Sequence, residues 1–263
     1  MIDKSPARIA GMFDAIAPRY DLLNGVLSGG LDRYWRRRAI RSLQFTGAET
    51  LLDVCTGTGD VALAAARAAR GARRVLGVDF AGAMLTRAVE KTRARQLDGR
   101  VRVVRGDAVR LPVPANAVDG VTIAFGIRNV AAPEAACAEL LRVLRPGGRL
   151  AILEFGLPVV PAVRPLYLWY FRHVLPRIGR AVSRHEGAYS YLPASVGAFP
   201  WGEAFAQILR EQGFNNVTAR PLTFGVVYLY TASKSADQAG GPREAGGVGP
   251  PHPPHAPLYL SST

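Results

Sequence analysis

Leu51-Leu52-Asp53-Val54-Cys55-Thr56-Gly57-Thr58-Gly59-Asp60 is the stretch that decides the fold. A short apolar run carries one carboxylate, and two glycines one residue apart lead into an alanine-rich segment. Glycines at 57 and 59 let the backbone turn sharply and approach a ligand at a helix N-terminus. The stretch therefore reads as strand, tight loop and helix, the opening of a βαβ unit. Working outward, strands are expected at Thr50–Val54, Arg74–Asp79, Val101–Arg105, Gly120–Phe125 and Arg149–Phe155. The helices between them are expected at about Asp60–Arg70, Gly82–Gln96 and Pro133–Leu144, the last closed by Arg145-Pro146-Gly147-Gly148. Strand, crossover helix and next strand in succession predict an α/β chain with a doubly wound, mostly parallel sheet. A helix at Trp201–Gln212 and strands at Val217–Leu222 and Val226–Ala232 bring the sheet to seven strands. Only a short return joins the last two, which predicts an antiparallel hairpin at one edge.

The chain has 263 residues, with 33 basic and 20 acidic side chains and a net charge of +13. Two cysteines, Cys55 and Cys137, exclude a disulfide scaffold and a four-cysteine zinc site, and no metal site is expected. The positive charge is spread: +4 over residues 1–41, +6 over 50–155 and +4 over 158–186. The alternative reading of this arginine bias is the base composition of the genome. Residues 1–47 are read as an N-terminal helical lid, and 48–234 as the main domain with an aromatic, basic insertion at 158–188. The stretch 235–263 holds five Gly and six Pro with little apolar periodicity, and is expected to be a disordered tail. No signal sequence or spanning segment is read, so a cytoplasmic location is expected.

Asp53 distinguishes the loop from a nicotinamide site, although Ala62 stands where the G/A variant of that fingerprint would allow it. A carboxylate beside the loop would repel a pyrophosphate and suit the ammonium group of S-adenosylmethionine. The D-x-x-x-G-x-G pattern points to a Rossmann-like methyltransferase. Asp79 closes the second strand, 20 residues after Gly59, where a carboxylate can accept hydrogen bonds from both ribose hydroxyls. Its other role would be to cap the following helix. After the third strand, Asp107 could accept from an adenine amino group and the Ala108 amide could donate to a ring nitrogen, unless Asp107 simply shapes a turn.

Further motifs extend the likeness: Tyr20-Asp21-Leu22-Leu23-Asn24, Phe125-Gly126-Ile127-Arg128-Asn129-Val130, Arg142-Val143-Leu144-Arg145-Pro146-Gly147-Gly148-Arg149 through Leu153-Glu154-Phe155, and Tyr191-Leu192-Pro193-Ala194-Ser195. With these the sequence resembles the ubiquinone/menaquinone biosynthesis C-methyltransferases over about residues 8–234. The resemblance implies cofactor contacts at Thr58, Asp79, Asp107 and Ala108; the loop geometry adds Asp53, Gly57 and Gly59. It also implies the reaction, C-methylation of demethylmenaquinol to menaquinol or the equivalent ubiquinone-pathway step. Leu23 stands where the family has Met and Asp32 where it has His, so no catalytic role is carried over to position 32.

The candidates for catalysis are Arg128 and Asn129, after the fourth strand, and Tyr20 and Asp21 in the lid. A guanidinium would stabilise developing phenolate charge and an amide would position a hydroxyl, while Tyr20 or Asp21 would take or relay the proton. The structural alternatives are an ion pair from Arg128 to Asp21 or Glu154, and helix packing and capping by Tyr20 and Asp21. His185 is a further candidate base; His173 is read as structural. The expected partners are a polyprenylated quinol, an anionic membrane met by the aromatic and arginine-rich insertion, and a second copy in a homodimer. Nucleic acid is not expected, because the chain offers no separate basic, aromatic-bearing module for methyl transfer to RNA. A non-catalytic, cofactor-binding scaffold in a quinone-biosynthesis assembly is the reading from a different class.

Overall fold

Near-continuous apolar runs are buried on both faces when strands lie parallel between helices, and the central strands here have that composition. The computed structural model describes residues 3–174, 177 and 186–237. Its seven strands are β1 (Thr50–Val54), β2 (Arg74–Asp79), β3 (Val101–Arg105), β4 (Val118–Ala124), β5 (Leu144–Phe155), β6 (Asn215–Leu222) and β7 (Val227–Ser233). They form one sheet in the order β3-β2-β1-β4-β5-β7-β6. β1 pairs in parallel with both β2 and β4, whereas β7 runs antiparallel to β5 and to β6. The expected hairpin is therefore present, with β7 inserted between β5 and the edge strand β6.

Alternation along the strands sends neighbours to opposite faces. Leu52 and Val54 pack with Leu140, Val143, Phe205 and Leu209, from α6 (Pro133–Val143) and α9 (Glu203–Glu211). Leu51 and Val75 pack on the other face with Trp35 and Leu43, and with Leu63 of α4 (Asp60–Arg67). Trp35 belongs to α3 (Leu31–Ser42), so this N-terminal helix is part of the sheet's own covering layer. The expected lid thus divides. α1 (Pro6–Ile16) and α2 (Tyr20–Leu27) instead join a separate apolar cluster built from Ile16, Leu23, Met84, Tyr167 and Val196. Those partners lie on α5 (Gly82–Ala94), α7 (Val163–Trp169) and α8 (Glu186–Ala198).

The strand order reverses at β1 and β4, and ligands in open α/β sheets sit at the carboxyl ends of strands at such a switch point. Here the two carboxyl ends carry the Cys55–Gly59 loop and the turn Ile127–Asn129. The loops are packed tightly: a Cβ on Gly126 would lie 2.4 Å from Cys55 Cβ. Cys55 and Phe125 have φ of 55° and 59°, and Thr223 and Phe224 have 46° and 58°. Non-glycine residues are uncommon in this left-handed region and gather at functional sites. These four lie at the end of the sheet where the ligand crevice opens; Gln44, Gln96, Asn116 and Asn216 share the conformation elsewhere.

Candidate active site

The strand β1 delivers Asp53 to the base of the loop, where it is 1% exposed. The hydroxyls of Thr56 and Thr122 each donate to one of its oxygens at 2.6 Å. Burial raises the Asp53 pKa to about 6, against the opposing pull of those two hydroxyls and the Arg36 charge. Asp79, at the end of β2, accepts from the backbone amides of Gly57 (2.8 Å) and Ala81 (2.9 Å). Burial again raises its pKa, and the amides oppose the shift. Each Asp79 oxygen keeps a second lone pair for a ligand hydroxyl. Asp107 is exposed beyond β3 and accepts from the Val109 amide at 3.1 Å, next to buried Ala108. Gly57 (φ 56°) and Gly59 (φ 80°) make the turn between β1 and α4. Three carboxylates thus end three neighbouring strands around one glycine loop, a donor-seeking set that fits a ligand carrying an ammonium group, ribose hydroxyls and an adenine amine.

Helices α2 and α3 are tied to this loop and to α4 and α5 through ions and one hydroxyl. Thr58 Oγ1 donates to Asp21 Oδ1 at 2.5 Å, and Lys91 Nζ donates to Asp21 Oδ2 (2.7 Å) and to Thr58 Oγ1 (3.0 Å). Lys91 also pairs with Asp60, which pairs with Arg36 at 2.6 Å; Arg36 in turn holds Asp32 at 3.0 Å. Four helices, α2, α3, α4 and α5, are thereby tied at one point. Asp21 is engaged in this network, and Asp32 also accepts from the Ser28 hydroxyl at 3.0 Å. Tyr20 turns the other way: its ring would lie 3.9 Å from a Cβ on Gly57, so it covers the loop. Burial raises the Tyr20 pKa, so the phenol stays protonated at neutral pH.

Beside Tyr20 lies a cavity of about 270 Å³. Its walls are mostly apolar and aromatic, including Phe13, Leu27, Trp35, Phe125, Phe155 and Tyr167. Arg128 supplies charge to it. Arg128 Nη1 donates to Glu154 Oε1 (2.7 Å) and to the Phe125 carbonyl (2.6 Å), and its guanidinium lies 5.3 Å from the Phe155 ring centre. Of the two carboxylates considered from sequence, the partner is Glu154. Glu154 is fully buried and also accepts from the backbone amides of Arg128 and Phe155. Removing one member of such a pair costs about 3–5 kcal/mol, because the other is left as a buried, uncompensated charge. Asn129 is buried beside it; its Nδ2 reaches the Phe125 carbonyl at 3.4 Å, and its Oδ1 has no partner among the described residues.

The sequence profile of the ubiE/COQ5 methyltransferase family matches residues 1–234. The chain belongs to that family. It is 48% identical over 224 residues to the ubiquinone/menaquinone biosynthesis C-methyltransferase UbiE of Syntrophotalea carbinolica, covering 85% of this chain and 93% of the relative. It is also 48% identical to the demethylmenaquinone methyltransferase of Thermus thermophilus, over 85% of this chain and all of the relative. Among solved structures, the Haemonchus contortus phosphoethanolamine N-methyltransferase 2 in complex with S-adenosyl-L-methionine superposes with a TM-score of 0.55 at 16% identity, covering 76% of this chain and 52% of that one. The fold is the Rossmann-like fold of S-adenosylmethionine-dependent methyltransferases.

In this methyltransferase, the sequence-predicted cofactor residues Asp53, Gly57, Thr58, Gly59 and Asp79 surround one loop, with Asp107 and Ala108 beyond the neighbouring strand β3. Tyr20 and Arg128 line the adjoining cavity, whereas Asp21 is absent from its wall. His185 lies outside the described residues; His173 is exposed and stacks on the Trp169 ring at 5.9 Å. Several site contacts escape sequence reasoning. Asp14 of α1 accepts from the Ala83 amide and so caps α5 from outside its own helix, and Trp35 Nε1 donates to Thr223 Oγ1 at 2.8 Å. Lys91 carried a weak signal, being one of only three lysines among 33 basic residues.

Proposed function

We propose that this S-adenosylmethionine-dependent methyltransferase methylates a ring carbon of a polyprenylated quinol, converting demethylmenaquinol to menaquinol. The observation that carries the reading is a mostly apolar, aromatic cavity that adjoins the cofactor loop and is lined by Arg128 as well as by the Arg36–Asp32 ion pair. The names of the Syntrophotalea and Thermus relatives support the same chemistry, and the Thermus relative is matched along its whole length. When bound, S-adenosylmethionine supplies an electrophilic sulfonium methyl group to an electron-rich ring carbon. The aromatic walls take the ring and the start of the prenyl chain and keep water away from both reactants. Tyr20, between loop and cavity, aligns the acceptor as a protonated hydrogen-bond donor. Arg128 would stabilise the phenolate formed when the quinol oxygen gives its proton to bulk solvent. The ring carbon that gains the methyl group gives up its own hydrogen as a proton, and S-adenosylhomocysteine is the leaving group. Asp53, Asp79, Asp107 and Ala108 hold the methyl donor, with Thr58 coupled to the lid through Asp21.

A lipid-soluble acceptor must be collected from a membrane. Among the described residues, no helix is long and apolar enough to cross one. We propose peripheral contact instead. Leu22, Val26, Leu31 and Tyr34 of α2 and α3, and Leu166 and Trp169 of α7, are exposed large apolar side chains. The two groups flank one cavity, and Tyr170, just after α7, bonds the Leu27 carbonyl at the end of α2. Exposed Arg33, Arg37 and Arg164 surround them, a composition suited to an anionic lipid surface.

Quinone profiling of a strain lacking the chain tests the reaction. Accumulated demethylmenaquinone, cleared by the wild-type gene, is the expected result. Accumulation of the ubiquinone-pathway precursor alone would replace the substrate, and an unchanged quinone pool would overturn the reading.

A further inference from the structure

The polar lining of the cavity contains more than Arg128. Tyr191, on α8, lines the same space and is 8% exposed, yet its hydroxyl has no hydrogen-bond partner among the described residues. Arg128 is 6% exposed; its Nη1 is fully engaged, whereas its Nε–H has no partner. α8 packs directly against the Ile127–Asn129 turn, and both side chains line the cavity, whose other charged lining residues, Asp32 and Arg36, are paired with each other. Buried donors without acceptors are costly and uncommon in native proteins, so two of them on one cavity wall mark the place of an absent acceptor. That acceptor is not supplied by Glu154, whose oxygens already serve Arg128 and the backbone.

We infer that Tyr191 and the Arg128 Nε–H together recognise a ring oxygen of the acceptor, making Tyr191 a substrate-binding and specificity-determining residue of this site. The inference rests on the quinol reading above. A hydroxyl oxygen on an aromatic ring has two lone pairs and can accept from both donors, and it accepts more strongly as it loses its proton. An acceptor ring without that oxygen leaves both donors buried and unmet. Sites built this way reject the analogue lacking the group far more strongly than an apolar pocket rejects an extra methylene. Burial raises the Tyr191 pKa, with the Arg128 charge opposing, so the hydroxyl keeps its proton and acts as a donor at neutral pH. Tyr191 lies three residues beyond the 158–188 insertion, on α8, so the helix that leads out of the insertion contributes the recognition group.

The test compares full-length wild type with Tyr191→Phe, which keeps the ring and removes only the oxygen. Affinity for a short-chain demethylmenaquinol, and for the same ring lacking one hydroxyl, is read from quenching of tryptophan fluorescence, which needs no turnover. Methyl transfer, cofactor affinity and thermal stability are measured alongside. Tyr191→Phe is expected to bind the quinol roughly ten- to a hundredfold more weakly, the range of a lost hydrogen bond to a buried polar group. The preference for the quinol over the deoxygenated ring should shrink by the same factor, with cofactor affinity unchanged and the melting temperature of the free protein no lower than in wild type. Equal quinol affinity in the two proteins overturns the inference. A wild type that binds the quinol but does not methylate it overturns the proposed reaction instead, while the binding comparison still decides the role of Tyr191.

Discussion

Under the proposed contact of Asp53 with the cofactor ammonium, one buried charge carries opposite costs for folding and for ligand capture. Unfolded, its carboxyl titrates near about 3.9; folded, burial lifts it to about 6. Between those values the folded state holds the extra proton, so the contribution of Asp53 to stability falls as pH rises through this window. Attraction for a ligand ammonium has the reverse sign, since only the ionised carboxylate provides it. Cofactor affinity is therefore expected to weaken below pH 6, approaching tenfold per pH unit, while remaining flat above it. Asp53→Asn should remove this pH dependence and lower affinity at pH 7.5. Calorimetric titration with S-adenosylmethionine from pH 5 to 8 measures both. An unchanged profile in the variant would assign the effect to another group.

At the scale of elements, the ties between α2, α3, α4 and α5 carry the coupling between lid and loop. Lys91 is the hub: its side chain is 18% exposed and meets Asp21, Thr58 and Asp60. Asp60 lies in the first turn of α4, where a carboxylate also favours the helix dipole. Lys91→Met is expected to cost about 1–2 kcal/mol, since these charged hydrogen bonds are only partly withdrawn from water. The distinguishing readout is local. Amide exchange should accelerate across Tyr20–Leu27 and leave the central strands β1 and β4 protected. Exchange that rises uniformly would mean that Lys91 supports the whole fold and not the lid. Asp14 adds a second tie from α1 to the N-terminus of α5, so the two lid helices are anchored independently.

At the scale of the molecule, the net charge of +13 resolves into a scattered part and a localised part. The +6 in residues 50–155 is spread along the sheet and its helices, whereas +4 falls in residues 1–41 and +4 in 158–186, two segments whose described residues contribute to the cavity wall. Charge and exposed apolar side chains coincide there. Vesicle co-sedimentation is therefore expected to rise with anionic lipid content and to fall as salt shortens the Debye length from about 10 Å at 0.1 M to about 3 Å at 1 M. Leu22→Glu with Trp169→Ala should abolish it without altering the melting temperature, since both side chains are exposed. Co-sedimentation that ignores anionic lipid would remove the membrane from the account.

The division between sequence and tertiary structure follows from the range of the forces involved. The sequence by itself determined β1, β2 and β3 with their boundaries, the helices between them, the antiparallel final pair, and the acidic residues that end three strands. Each of these depends on neighbours a few residues away: apolar periodicity, glycine at a sharp turn, proline at a helix start. Tertiary structure alone decided what each charge meets. Asp21 and Lys91 are 70 positions apart, Asp14 and Ala83 are 69, and Arg128 chose Glu154, 26 residues on, over Asp21. It likewise placed β7 between β5 and β6, laid α3 on the sheet face, and set Tyr191 in the cavity wall. Local patterns specify where the chain turns; only the packed sheet and its crossovers specify which distant side chains share a low-dielectric space, and there the energetics of burying a charge or an unmet donor are set.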